Sequence, residues 1–150
     1  MRKLIYLISP NQIQSNFFDV LENVLASKKV KFFQLRLKNL KNSQIISIGR
    51  KVKKITRKYK VKLIVNDSVK IAKILKADGC HLGQKDGGVI KARNHLRKKI
   101  IGVTCHNSKI LAKKAIKEKA DYLAFGSFYN SKLKPNAKKT NFEILKWAKT

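Results

Sequence analysis

The sequence predicts a parallel α/β fold of six strand–helix units, and three observations carry that prediction. Short apolar runs rich in β-branched and aromatic residues alternate with longer segments of helical spacing. The connections are too long for hairpins, which leaves crossover helices and parallel strands. The third is an internal echo. Lys76-Ala77-Asp78-Gly79-Cys80-His81-Leu82-Gly83 matches Lys119-Ala120-Asp121-Tyr122-Leu123-Ala124-Phe125-Gly126 in pattern and in phase. Each copy ends a helix at Ala-Asp, runs through a strand and opens a loop at Gly, as a repeated βα unit would.

The elements follow in order. Residues 4–9 form the first strand: the apolar run from Leu4 to Ile8 stops at Ser9-Pro10. At five residues it is too short for a secretory signal core of about 7–15, despite the basic start Arg2-Lys3. A helix over 16–26 follows Ser15, a strand spans 31–38, and a helix over 43–59 opens at Ser43. The third strand covers 62–67, and Ser68 opens a helix over 69–77. Strands at 79–84, 99–106 and 121–127 alternate with helices at 89–96 and 109–119, and a last helix runs from 140 to 150. No Gly/Ser tract or linker divides residues 1–150, so one domain is expected. No stretch reaches the ~20 apolar residues of a membrane span.

The charge of +28 comes from 36 basic residues against 8 acidic ones. Thirty of the basic residues are Lys, spread from Lys3 to Lys149, and only six are Arg. Phosphate and base readers favour the planar Arg fork, whereas scattered Lys is solvated surface. The aromatics lie mainly in apolar strands (Phe32, Phe33, Tyr122, Phe125) and do not interleave with basic residues as a stacking platform. No specific nucleic-acid partner and no membrane partner are expected. Cys80 and Cys105 fall in apolar runs without metal-ligand spacing, which fits buried free thiols and a cytoplasmic location.

Loops at the C-terminal ends of parallel strands carry the chemistry of such folds. Gln34, Arg36 and Lys38 alternate there and share one strand face, with Phe33, Leu35 and Leu37 on the other. Inward polar groups on a strand buried on both faces are costly unless a ligand satisfies them, the alternative being a solvated edge strand. Asn66 and Asp67 end the third strand, Gln84 and Asp86 follow the fourth, Thr104 and His106 end the fifth, and Ser127, Ser131 and Lys134 follow the sixth. Asp67 and Asp86 are two of only eight acids. Paired carboxylates beside Arg36, Lys38 and Lys134 point to Mg²⁺–diphosphate chemistry, although an Asp at a strand end also caps a following helix. There is no P-loop and no nucleophile–His pair. His81 reads as a core hydrogen-bonding residue, His95 as surface, and His106 as either a site or a loop residue.

Five segments together, in order and at matching spacing, resemble thiamine phosphate synthase: Gln34-Leu35-Arg36-Leu37-Lys38, Ile64-Val65-Asn66-Asp67, residues 77–86, Gly102-Val103-Thr104-Cys105-His106 and residues 120–126. The resemblance covers essentially the whole chain. It implies a (β/α)8 TIM-barrel type of fold, here incomplete, with about six βα units and the seventh and eighth missing. It also implies a cytoplasmic, Mg²⁺-dependent transferase of thiamine biosynthesis. The family joins hydroxymethylpyrimidine diphosphate to thiazole phosphate and releases diphosphate, which cations stabilise as it departs. On this resemblance Gln34, Arg36, Lys38 and Asn66 hold the pyrimidine diphosphate, and Thr104 lies near the pyrimidine. Asp67 and Asp86 bind Mg²⁺, and Ser131 and Lys134 grip phosphate, with Arg36, Lys38 and Lys134 as the catalytic cations. Leu133 departs from the family's Thr-x-Thr-Lys loop and removes one hydroxyl donor. The expected missing units leave the first and sixth strands with open edges, through which the chain is expected to self-associate. Thiazole tautomerases share the fold, but Asp86 favours the synthase. The remaining alternatives are an inactive homologue and a charge-driven nucleic-acid binder.

Overall fold

The computed structural model describes residues 4–129 and 139–149. Among the described residues six strands and six helices alternate: β1 (Ile5–Ile8), α1 (Phe17–Ala26), β2 (Val30–Leu35), α2 (Asn42–Lys58), β3 (Lys62–Asn66), α3 (Val69–Ile74), β4 (Gly79–Leu82), α4 (Gly88–Leu96), β5 (Ile100–His106), α5 (Lys109–Lys117), β6 (Tyr122–Phe125) and α6 (Glu143–Trp147). The strands form one parallel sheet in the order β1-β2-β3-β4-β5-β6. The sheet is a half-barrel of the TIM-barrel type, its strands joined in sequence by covering helices.

Register divides the strand residues between two faces. Residues paired across strands project to the same side. Leu63, Val65, Cys80, Leu82, Ile101, Val103 and Cys105 point outward and join Phe33 and Leu35 in a buried core against the helices. The opposite, concave face carries Tyr6, Phe32, Gln34, Ile64, Asn66, His81, Gly102, Thr104 and Tyr122, paired through successive registers. Apolar residues thus hold the helices on, and the polar ones are directed into the half-barrel.

Helix ends show how this sequence works without many glycines. Lys28, Lys60, Lys76 and Lys119 each take a left-handed backbone conformation after a helix, at φ 59°, 54°, 47° and 63°. That position normally favours Gly, because a Cβ there crowds the backbone. The turns are nonetheless closed by paired bonds: Lys76 N–H to Lys73 C=O with Ala77 N–H to Ala72 C=O, and Lys119 N–H to Ile116 C=O with Ala120 N–H to Ala115 C=O. These turns end α3 and α5 before residues 77 and 119, where spacing alone would end them.

At helix starts Ser68 accepts from Ile71 N–H at 3.2 Å, as its position predicts, and Ser108 does the same for Leu111. Ser15 and Ser43 do not cap: Asn16 and Lys41 occupy those positions. At α2 the Gln44 side chain accepts from Lys41 N–H at 2.9 Å, which satisfies one of the amide donors at that end without a Ser.

The echoed segments build one device twice. Asp78 Oδ2 accepts from Leu63 N–H at 2.9 Å and pairs with Lys53 of α2 at 3.4 Å. Asp121 Oδ2 accepts from Ile101 N–H at 2.7 Å and pairs with Arg93 of α4 at 2.8 Å. In each case an Asp at the start of a strand takes the amide of its neighbour and a cation from the helix two units back. Arg93 also donates to the carbonyls of Arg97, Lys99 and Lys119, tying three chain segments together at that end of the sheet.

Candidate active site

β2 ends at Leu35, so Gln34 lies in the sheet while Arg36 and Lys38 lie just past it. Gln34 is buried, Arg36 is half-buried and Lys38 is exposed. Arg36 is anchored from β1's side of the sheet. Its amide donates to Ser9 Oγ at 2.9 Å and its guanidinium to Asn11 Oδ1 at 2.7 Å. A planar fork fixed by one neutral partner keeps its other donors for an anion.

Asp67 closes β3 in a tight turn. Its φ is +63°, its amide donates to His81 C=O at 2.7 Å, and Ser68 N–H reaches back to Asn66 C=O at 2.7 Å. Left-handed non-Gly residues are strained, and Asp is among the few that tolerate the geometry. The turn brings the carboxyl within hydrogen-bonding reach of Asp86. Asp86 is itself held by Gly83 N–H at 2.7 Å. Partial loss of water, and then the facing Asp86 carboxylate, hold Asp67 above the usual carboxylate range, while Lys38 and Arg36 pull it down. Two mutually repelling carboxylates with two cations beside them are therefore gathered at the ends of β2, β3 and β4. An oxygen-only donor pair of this kind suits a hard divalent cation. Among the described residues there is no cluster of three or more His, Cys, Asp or Glu.

Inside the half-barrel a second set of polar residues forms a continuous hydrogen-bonded chain. Gln34 Nε2 donates to Tyr6 Oη at 3.0 Å, Tyr6 Oη lies 2.6 Å from Tyr122 Oη, and Tyr122 Oη lies 2.9 Å from His81 Nδ1. His81 Nε2 completes the chain at 2.8 Å from Thr104 Oγ1. The rings stack as well as bond, with 5.6 Å between the His81 and Tyr122 centroids. Gly102 makes room for this: a Cβ there would lie 1.9 Å from Tyr122 Cζ. Burial raises the Tyr6 and Tyr122 phenols above the usual value, so both keep their hydrogen.

Of the residues the sequence singles out, Arg36, Lys38, Asp67 and Asp86 gather at the strand ends. Gln34 and Thr104 terminate the internal chain, and Asn66 sits in register with His81. Gln84 donates to Thr104 C=O, and His106 is half-buried at the end of β5. Ser131 and Lys134, together with Leu133, lie outside the described residues. Sequence reasoning missed Ser9, Asn11, Tyr6 and Tyr122. The two tyrosines read as ordinary strand aromatics, and the one available signal was a phenol inside an otherwise apolar run, which needs a partner when buried. His81 hydrogen-bonds in the interior, as its position in a strand predicts. The thiols of Cys80 and Cys105 are buried and pushed up to about 12 and about 11 by burial, which makes them inert.

Residues 5–150 match the family model described as thiamine monophosphate synthase. The chain is 58% identical over 146 residues to a thiamine-phosphate synthase of Pelagibacter ubique, covering 97% of this chain and 70% of that protein. It is 41% identical over 148 residues to the thiamine-phosphate synthase of Erythrobacter litoralis, covering 95% of this chain and 70% of that one. Among solved structures, thiamine phosphate pyrophosphorylase from Pyrococcus furiosus superposes with a TM-score of 0.83 at 27% identity, over 96% of this chain and 68% of that one.

Proposed function

This chain belongs to the thiamine monophosphate synthase family, and from that premise we propose that it joins hydroxymethylpyrimidine diphosphate to thiazole phosphate, releasing diphosphate. The observation that carries the proposal is the pairing of Asp67 with Asp86 beside Arg36 and Lys38 at the ends of β2, β3 and β4. A diphosphate leaving group needs concentrated positive charge that is in place before the bond breaks. Arg36 supplies a preorganised fork, because Asn11 and Ser9 already fix its orientation. Lys38 adds a mobile point charge. Gln34 and Thr104 take the ring from within the half-barrel, and Ser131 and Lys134 add phosphate contacts. Asp67 and Asp86 would hold Mg²⁺, whose chemistry in such a site is to neutralise the departing diphosphate.

Ile8 of β1, with Val20 and Val24 of α1, lines a largely apolar groove at the edge of the sheet, on which a second copy of the chain would pack. Among the described residues no helix is long and apolar enough to cross a membrane.

The test is direct. Purified protein given both substrates and Mg²⁺ is expected to release diphosphate. The absence of turnover together with an absence of Mg²⁺-dependent binding of the pyrimidine diphosphate would overturn the proposal.

A further inference from the structure

We propose that the turns leading into β2, β3, β4, β5 and β6 form a basic rim that binds the phosphate backbone of duplex nucleic acid without reading its sequence. The rim lies at the opposite end of the sheet from Arg36, Lys38, Asp67 and Asp86, so binding there leaves the candidate active site open.

The lysines are dispersed in the sequence, but the topology gathers them. In a parallel sheet every turn from a helix into the next strand falls at the same end. Each of the five turns holds one basic residue in the left-handed conformation: Lys28, Lys60, Lys76, Arg97 and Lys119, at φ 59°, 54°, 47°, 47° and 63°. All five are exposed. Gly would take that conformation without strain, and would carry no charge. Lys29, Lys31, Lys98 and Lys99 add exposed charge beside them. A cation in the last turn of a helix serves its dipole, but these four lie beyond the ends of α1 and α4.

The acids at this end already have partners. Asp78 is taken by the Leu63 amide, Lys53 and Lys62, and Asp121 by the Ile101 amide and Arg93. Glu22 pairs with Lys58, and Glu118 with Lys114. Among the described residues none of the five rim cations has a carboxylate partner. Neighbouring strands lie about 4.8 Å apart, so five consecutive strand starts set these cations along an arc on the order of 20 Å. A duplex presents about a dozen phosphates over that length. Four of the five are Lys, a point charge that suits phosphate oxygens and does not read base edges. Single strands are held by stacking on aromatic rings, and the one ring in these turns, Tyr59, is half-buried with Lys58 over it. A bilayer takes apolar side chains as well as charge, yet Val61, Leu75, Ala77 and Leu96, next to the cations in sequence, are buried. The duplex backbone is the polyanion that fits.

The experiment follows a labelled random-sequence DNA duplex by fluorescence anisotropy as salt rises from about 50 to about 200 mM. With five phosphates engaged the log–log slope is about −4.5, an affinity loss of about 500-fold over that range. A rim variant carries Lys28→Gly, Lys60→Gly, Lys76→Gly, Arg97→Gly and Lys119→Gly, at positions whose backbone suits Gly. A control carries Arg50→Gln, Lys54→Gln, Lys70→Gln, Lys91→Gln and Lys113→Gln on exposed helix faces, and loses the same charge. The rim variant is expected to bind about tenfold or more weakly at low salt with a slope less than half as steep, and the control to stay within about threefold of wild type. Equal weakening in both variants overturns the rim, as does a flat salt response in wild type. Tighter binding to phosphatidylglycerol vesicles than to the duplex overturns the choice of nucleic acid. Lysine acylation of the wild-type chain, read by mass spectrometry, decides the matter if the rim variant does not fold. The duplex should shield Lys28, Lys60, Lys76 and Lys119 and leave Lys54, Lys70, Lys91 and Lys113 reactive, and uniform shielding or none overturns the proposal.

Discussion

Replacing Asp78 by Ala removes one acceptor that serves both a strand amide and a helix cation. Leu63 is fully buried, and its N–H loses the carboxylate that accepts it at 2.9 Å. An orphaned buried donor costs about 1–3 kcal/mol. The ion pairs to Lys53 at 3.4 Å and Lys62 at 3.7 Å are partly exposed, so together they add only about 0–1 kcal/mol. A central expectation of about 2.5 kcal/mol lowers the melting temperature by roughly 5–10 °C for a chain of this size. Asp121→Ala orphans the buried Ile101 N–H in the same way. Its cation, Arg93, keeps three carbonyl acceptors, so the loss is smaller, about 1–2 kcal/mol.

The pH dependence adds a second reading of the same variant. Burial opposes ionisation of Asp78, but the Leu63 amide and then Lys53 and Lys62 outweigh it and hold the carboxyl below its ordinary 3.8. A depressed folded value contributes stability above the unfolded one, and that contribution fades as pH falls below 3.8. Urea melts of wild type and Asp78→Ala should therefore differ fully at neutral pH and converge in acid. A neutral-pH difference under about 0.5 kcal/mol, the scatter of ordinary surface changes, would refute the reasoning. So would a gap that stays constant through the acid range.

Asp86→Ala should weaken Mg²⁺-dependent binding of inorganic diphosphate by about tenfold or more, with no change in metal-free buffer, as titration calorimetry would register. Gly102→Ala places a methyl 1.9 Å from Tyr122 Cζ and should cost about 1–3 kcal/mol by displacing the ring, seen as a lowered denaturation midpoint. Lys76→Gly and Lys119→Gly relieve left-handed strain at φ 47° and 63°. Each should raise stability by up to about 1 kcal/mol less the entropy Gly gains in the unfolded chain, a small upward shift in melting temperature.

Most of the fold was legible because apolar period and helix spacing are local signals. The strand over 62–67 and the helix over 109–119 appear nearly as spacing predicts, as β3 (Lys62–Asn66) and α5 (Lys109–Lys117). Helix ends were less so, since Lys76 and Lys119 do the work of Gly and carry no stop signal. At the strand ends, the carboxylates and cations could be collected by position, because parallel topology makes every such end a neighbour of the others. The residues that orient them were not accessible in this way. Asn11 meets Arg36 from a loop 25 positions away, and Tyr6 meets Tyr122 across 116 residues. Nothing local in the sequence encodes either contact.

That last contact has a consequence for how the chain reaches its native shape. Tyr6 and Tyr122 belong to the two outermost strands, so their 2.6 Å bond spans the open mouth of the half-barrel like a clasp. Neighbouring strands can zip together through short crossovers, but the clasp forms only when the sheet has curled enough to bring its edges face to face. The entropy of closing so long a loop is met late, after the intervening units have shortened the path. Curvature is therefore a product of the assembled sheet, and the pair of phenols records it.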